Sequence, residues 1–278
     1  MTDKLDPVLR QIDDWEPATV AVGVTEPDRT RATRGPTAQT FPIASVTKPL
    51  TAYAVLIAVH HGTLHLDEPV DIDEQPATVT VRDLLAHASG LPLEAGGTVR
   101  PPETQRIYSN WAYDILGELV AARAGVAFAD VVAREVFSPL KMDTSTLDGS
   151  PARDATSTVD DLLAFARELL DPTLIDGDLH REATTTAFGG LSGILPGFGR
   201  QDPNDWGLGL EIRGTKSPHW LAASVPATSF GHFGQSGSFL VVVPECGVAA
   251  VSLADQPFGS WAATAWRTLT GDIITACC

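Results

Sequence analysis

A chain of 278 residues, 44% hydrophobic and 19% charged, has the composition of a folded globular protein and enough length for one large core or two interleaved lobes. Its formal net charge of -16 argues against nucleic acid and anionic membrane as partners. The start, Met1-Thr2-Asp3-Lys4-Leu5-Asp6-Pro7, is polar and acidic without a leader's apolar stretch, no transmembrane run is visible, and the expected location is cytoplasmic.

Residues 3–15 read as a short amphipathic helix. The β-rich run 18–25 (ATVAVGVT), a turn at Glu26-Pro27-Asp28 and a strand at 30–34 read as a hairpin opening an antiparallel sheet. Proline is tolerated only in the first turn of a helix, so Pro49 places a helix start near Ser45. The following run 50–61 (LTAYAVLIAVHH) is apolar nearly all round, which means burial, and Gly62 ends it. Thr80-Val81-Arg82-Asp83 starts a short helix carrying Leu84 and Leu85, and 88–92 is a turn. Helices follow at 110–124, closed by Gly125, at 128–136, and from a Thr158 cap with Asp160-Asp161 in its first turn to about Leu170. After Thr185, glycine-rich turns separate strands at 207–212, 238–243 and 248–253, and 260–274 reads as a closing helix. The order of sheet, helical insert, sheet and helix predicts an α/β (α+β) fold in one domain, 1–278. Its antiparallel sheet lobe takes about 1–48 and 186–278, and the inserted, mostly helical lobe about 49–185.

Cys246, Cys277 and Cys278 form neither a metal spacing nor a disulfide framework, and the vicinal pair reads as a frayed tail. His61 and His65 are four apart, but Gly62 and Thr63 break the helix between them, so no metal site is expected.

The chemistry starts at Ser45-Val46-Thr47-Lys48. On a helix, a serine and a lysine three residues apart share a face, and a desolvated lysine can take the serine's proton. With fifteen serines and four lysines, about 0.2 such spacings are expected by chance, yet the chain has two. The second, Ser138-Pro139-Leu140-Lys141, follows a helix, and Pro139 is expected to keep Ser138 out of the helical region. Ser45 instead stands at a helix amino terminus, where its own amide is placed to stabilise an oxyanion. Tyr108-Ser109-Asn110 is a rarer signal, since the chain has three tyrosines and two asparagines. A phenol near an ammonium can ionise and relay a proton, and the Asn110 amide can hold Lys48 and a substrate carbonyl. The plainer reading is a core tyrosine before a helix-starting asparagine. In Gly231-His232-Phe233-Gly234-Gln235-Ser236-Gly237, Gly234 would let a substrate backbone approach the strand edge, and His232 would present a polar group across the cleft. The plainer reading is a glycine-rich hairpin. Trp111, Trp206, Phe233 and Phe258 are candidates for an apolar cleft wall, Trp111 and Phe258 equally for core.

These pieces, in this order, resemble the serine β-lactamase and penicillin-binding-protein superfamily, nearest to its class C-like and esterase (D-aminopeptidase-type) branch. The segments 62–70 (GTLHLDEPV), 79–92 (VTVRDLLAHASGLP) and 205–210 (DWGLGL) carry the likeness further, from about Phe41 to Leu253. The resemblance implies a β-lactamase/transpeptidase-like fold as one catalytic domain without a cofactor. Ser45 would be the nucleophile, Lys48 its base, Tyr108 the proton relay and Asn110 the orienting amide. His232-Phe233-Gly234 would stand where the family has Lys-Thr-Gly or His-x-Gly, and the amides of Ser45 and Gln235 would form the oxyanion hole. Phe233 replaces a hydroxyl and His232 a permanent cation, which weakens recognition of an anionic acyl donor. The expected substrate is a small neutral ester or amide. A β-lactam or D-Ala-D-Ala peptide, a D-amino-acid amide, acyl transfer and a non-catalytic binding protein are the alternatives. Oligomeric state is left open.

Overall fold

The computed structural model describes residues 4–278. Helix α1 (Leu5–Leu9) tightens into a turn over Arg10–Asp14, so the first predicted helix is half as regular as its pattern suggests; Asp3 lies outside the described residues. Strands β1 (Val20–Thr25) and β2 (Thr30–Arg34) form the expected hairpin. The buried helix is α2 (Thr47–His60). Helix α3 (Val81–Leu85) is held by a capping box between Thr80 and Asp83. Helix α4 (Asn110–Ala124) starts from a Ser109 cap and ends at Gly125. Helices α5 (Phe128–Val132) and α6 (Val159–Leu170) follow. The chain closes with β3 (Glu211–Ile212), β4 (Phe230–Gly234), β5 (Ser238–Val243), β6 (Val248–Ala254) and α7 (Ser260–Cys277).

The main sheet has the order β3-β4-β5-β6-β1-β2, antiparallel throughout. Its central seam pairs β1 with β6, Val20 opposite Ala254 and Thr25 opposite Ala249, so both ends of the sequence build one sheet. Strands β5 and β6 are buried along their whole length because both faces are covered. Alternate residues point to opposite faces. Leu240, Val242 and Val251 join the core formed with α2, α4 and α6, whereas Phe239, Val241 and Ala250 join Leu5, Leu9, Trp266 and Leu269 on the other side. Among the described residues no helix is long and apolar enough to cross a membrane.

Three expectations need correction. Of residues 207–212 only Glu211–Ile212 is strand, and 207–210 turn: Gly207 N–H donates to Leu210 O at 2.9 Å, and Gly209 has φ +91°, with Ala52 so close that a Cβ would lie 2.1 Å from its methyl. The segment 231–237 forms a hairpin, in which β4 runs from Phe230 to Gly234 and pairs with β5. Ser138 is helical, at φ -62° and ψ -48°. The helix before it widens over Ala133–Phe137, and a wider turn moves the preceding carbonyls away from the Pro139 ring. Lys141 then leaves the helix at φ +57°, so Ser138 and Lys141, both exposed, share no face.

The tail is not frayed. Helix α7 runs to Cys277, and Cys278 forms a disulfide with Cys246, across a sequence separation of 32. Reading the cysteines by spacing alone fails because the pair joins a turn after β5 to the end of α7. Closing a loop of this size constrains the unfolded chain by about 3–4 kcal/mol. Cys278→Ser is therefore expected to lower Tm by roughly 5–10 °C under oxidising conditions and to abolish any Tm difference between reduced and oxidised protein.

Candidate active site

Ser45 lies on a single tight turn, Ala44–Val46, that feeds α2. Ala44 has φ +45°, a left-handed conformation costly for a residue with a Cβ, so its surroundings must hold it. Three elements do. Thr47 Oγ1 donates to Ala44 O at 2.6 Å and accepts from Ala155 N–H at 3.1 Å, and Ser238 Oγ of β5 donates to Ile43 O at 2.8 Å. Strand β4 presses on the same turn. A Cβ at Gly234 would lie 2.3 Å from Ile43 O and 3.3 Å from the Ala44 methyl. That glycine thus makes room for the serine turn.

Lys48, one turn into α2, is fully buried. Its Nζ donates to Asn110 Oδ1 at 2.6 Å and to Ala152 O at 3.0 Å. Burial pulls its pKa from 10.5 down to about 7; Asp114 and Glu94 pull it back up, and Arg153 pushes it further down. A neutral amine has two N–H groups and one lone pair. Both hydrogens are taken by these acceptors, which leaves the lone pair to receive a proton.

Tyr108 is half-buried, its ring centroid 4.5 Å from Lys48 Nζ. Burial raises the phenol above its usual range, with a hydrogen bond to Ser45 acting the other way. The resting phenol is therefore protonated. His232, on β4, is buried; its Nδ1 lies 2.6 Å from Phe233 O, which only accepts, so Nδ1 carries the hydrogen. Its Nε2 then accepts, and the Tyr108 hydroxyl lies 3.4 Å from it. Burial first and Lys48 second push His232 down to about 3, so the imidazole is neutral.

Asn110 opens α4, but the cap is Ser109, whose Oγ accepts from Ala112 N–H at 3.0 Å. One Asn110 amide hydrogen goes to Glu94 Oε1 at 2.7 Å, so only the other is left for a substrate carbonyl. Ser45, Tyr108, Asn110, Trp206, His232, Phe233 and Gln235 line one cavity of about 310 Å³, a volume in the range of small-molecule sites. Leu93, Leu195 and Pro196 complete an apolar wall. Trp111 and Phe258 are not among the lining residues. Phe258 instead packs behind Phe233, ring centroids 5.1 Å apart.

Four charged or polar residues that the sequence reading did not single out matter here. His87, at φ +54°, is sandwiched against Tyr108 (4.6 Å) and Trp206 (4.7 Å). Arg106 is buried and spends its guanidinium on the carbonyls of Ala86, Ala187, Phe188 and Asn204, which ties the Tyr108 segment to the loops behind Trp206. Glu211 lines the cavity, yet its carboxylate is bound to Lys216, His219 and Trp220. Arg153 stands at the mouth. Arg106 and Glu211 carry no sequence signal beyond being charges in apolar surroundings. His87 lies inside the quoted 79–92 segment, and its place behind the tyrosine needs the fold.

The model of the Beta-lactamase family matches residues 13–273. A β-lactamase from Mycobacterium bovis superposes with a TM-score of 0.93 at 43% identity, covering 96% of this chain and 98% of its own. Esterase EstB of Burkholderia gladioli is 32% identical over 158 residues, 41% of this chain and 40% of that protein. The D-alanyl-D-alanine-carboxypeptidase/endopeptidase AmpH of Escherichia coli (strain K12) is 26% identical over 142 residues, 39% of this chain and 37% of that one. The matched segments thus span about two fifths of these two relatives.

Proposed function

This chain belongs to the Beta-lactamase family, and from that premise we propose that it is a serine hydrolase that forms an acyl-enzyme on Ser45 and acts on small neutral esters. The observation that carries the reading is the lysine: fully buried, with a pKa near 7 and both amine hydrogens engaged, it is built to accept a proton at neutral pH.

In the proposed course, Lys48 takes the Ser45 proton as Oγ attacks the ester carbonyl. The oxyanion sits against the amides of Ser45 and Gln235. Collapse expels the alkoxide, which takes its proton from the Tyr108 hydroxyl, and Lys48 returns a proton to Tyr108. Water then attacks the acyl-enzyme, gives its proton by the same route, and frees the acid and Ser45. The neutral His232 and the phenyl ring of Phe233 support an uncharged acyl donor, because neither offers a charge to a carboxylate. Leu93, Leu195, Pro196 and Trp206 suit a short apolar acyl chain.

The test is peptide mass spectrometry of protein quenched in acid during 4-nitrophenyl butyrate turnover. A butyryl adduct on the Ser45 peptide is expected; turnover with the adduct on another residue overturns the assignment. Tyr108→Phe is expected to lower kcat by about 10²-fold or more, since it removes the hydroxyl that relays the proton. Full activity in that variant rules the relay out.

A further inference from the structure

The mouth of the cavity carries an ion pair that is wired to the buried lysine from both sides. Arg153 Nη1 donates to Glu94 Oε1 at 2.5 Å, with side chains 44% and 50% exposed. The same Glu94 oxygen accepts from Asn110 Nδ2 at 2.7 Å, and Asn110 Oδ1 accepts from Lys48 Nζ at 2.6 Å. Lys48 also donates to Ala152 O, the carbonyl directly before Arg153. The contacts close a ring: Lys48, Asn110, Glu94, Arg153 and back through Ala152. The glutamate's backbone is fixed as well, because the carbonyl of Leu93 accepts from the amides of Asn110 and Trp111 at 2.8 and 3.2 Å.

An ordinary surface ion pair contributes little. This one does something else. An asparagine amide can present either its oxygen or its NH₂ group to a neighbour, and only the oxygen can accept from Lys48. Glu94 accepts and does not donate, so it compels Asn110 to turn its NH₂ outward and its oxygen inward. We infer that Glu94 is a positioning residue: it locks the Asn110 amide onto Lys48, and its pairing with Arg153 balances the charge that the lysine faces. This rests on the reading of Ser45 and Lys48 above. The ionisable groups around Lys48 are Asp114 on α4, Glu94 and Arg153 at the mouth, Tyr108 and Tyr113, His87 behind the tyrosine, and His232 on β4. Of these, Glu94 and Arg153 are exposed enough to be changed without opening the core.

The sign follows. Removing the Glu94 charge takes away an anion that favours the ammonium, so the lysine loses its proton at lower pH. Removing Arg153 does the reverse. Labelling of Ser45 by a fluorophosphonate reads this without requiring the right substrate: Oγ attacks phosphorus, fluoride leaves, and the hydroxyl proton goes to the amine. The second-order rate, followed from pH 5 to 9 by mass spectrometry of the Ser45 peptide, is expected to rise through the lysine's pKa. Glu94→Gln keeps an acceptor for Asn110, so its plateau should stay within about threefold of wild type while the acidic limb moves down by roughly 0.3–1 pH unit. Arg153→Ala should move that limb up by a similar amount. Glu94→Ala loses the acceptor and should lower the plateau about tenfold, with Glu94→Gln as its rescue. Limbs that stay put, or move the same way in Glu94→Gln and Arg153→Ala, overturn the inference while leaving the Ser45–Lys48 reading intact. Absence of Ser45 labelling in the wild type overturns both.

Discussion

Ser45→Ala is expected to lower kcat/KM toward 4-nitrophenyl butyrate by about 10⁴-fold or more, with folding unchanged by circular dichroism. The magnitude follows from what remains. The cavity and its amides still bind the ester, but among the described residues no other aliphatic hydroxyl lines it, and the Tyr108 hydroxyl, which does, has its pKa raised by burial. The alanine costs little in stability, because the turn is held through Ile43, Ala44 and Thr47 rather than through Ser45 Oγ. Ser138→Ala is the internal comparison. It removes the serine of the other Ser-x-x-Lys spacing, which is exposed and does not line the cavity, and should leave the rate as it is. A Ser45→Ala protein that retained more than about 1% of the rate would place the nucleophile elsewhere.

The two Ser-x-x-Lys spacings show how far a sequence carries this kind of argument. Pro49 marks the start of a helix, so Ser45 and Lys48 had to lie within one turn, and they do. Around Ser138 the same residue, proline, misleads: its bias on the preceding residue is a local preference, and a widened turn overrides it. Helices with clear caps, such as α4 between Ser109 and Gly125 or α6 behind Thr158, were legible. What was not legible depends on distant segments meeting. The close approach of Gly234 to the carbonyl of Ile43, almost two hundred positions away, is one such meeting. The fate of the Tyr108 proton turns on burial, a property of the folded chain. Glu94 and Arg153 look like two unrelated surface charges until the amide of Asn110 joins one of them to the lysine.

Lys48 separates base catalysis from mere packing, and its replacement is the second large effect. Wild-type kcat/KM is expected to rise with pH through about 7, because the lysine must be neutral to take the serine proton and its pKa is lowered from 10.5 to that value. Lys48→Arg keeps a donor for Asn110 and Ala152 but stays protonated at every accessible pH. It should lose about 10³-fold in kcat/KM and with it the limb near pH 7. Lys48→Ala should lose at least as much, and it leaves the Asn110 and Ala152 oxygens without their partner, at about 1–3 kcal/mol each. A fall in Tm is therefore expected of the alanine variant, and the arginine variant tells whether lost activity follows lost structure or lost basicity. The nearby histidines offer no substitute for the limb: His232 is held down at about 3, and His87 lies well below its ordinary value through burial and the charge of Lys48 itself. A limb near pH 7 that persisted in Lys48→Arg would therefore belong to the substrate or to a group outside this cavity, and the proton of Ser45 would need another acceptor.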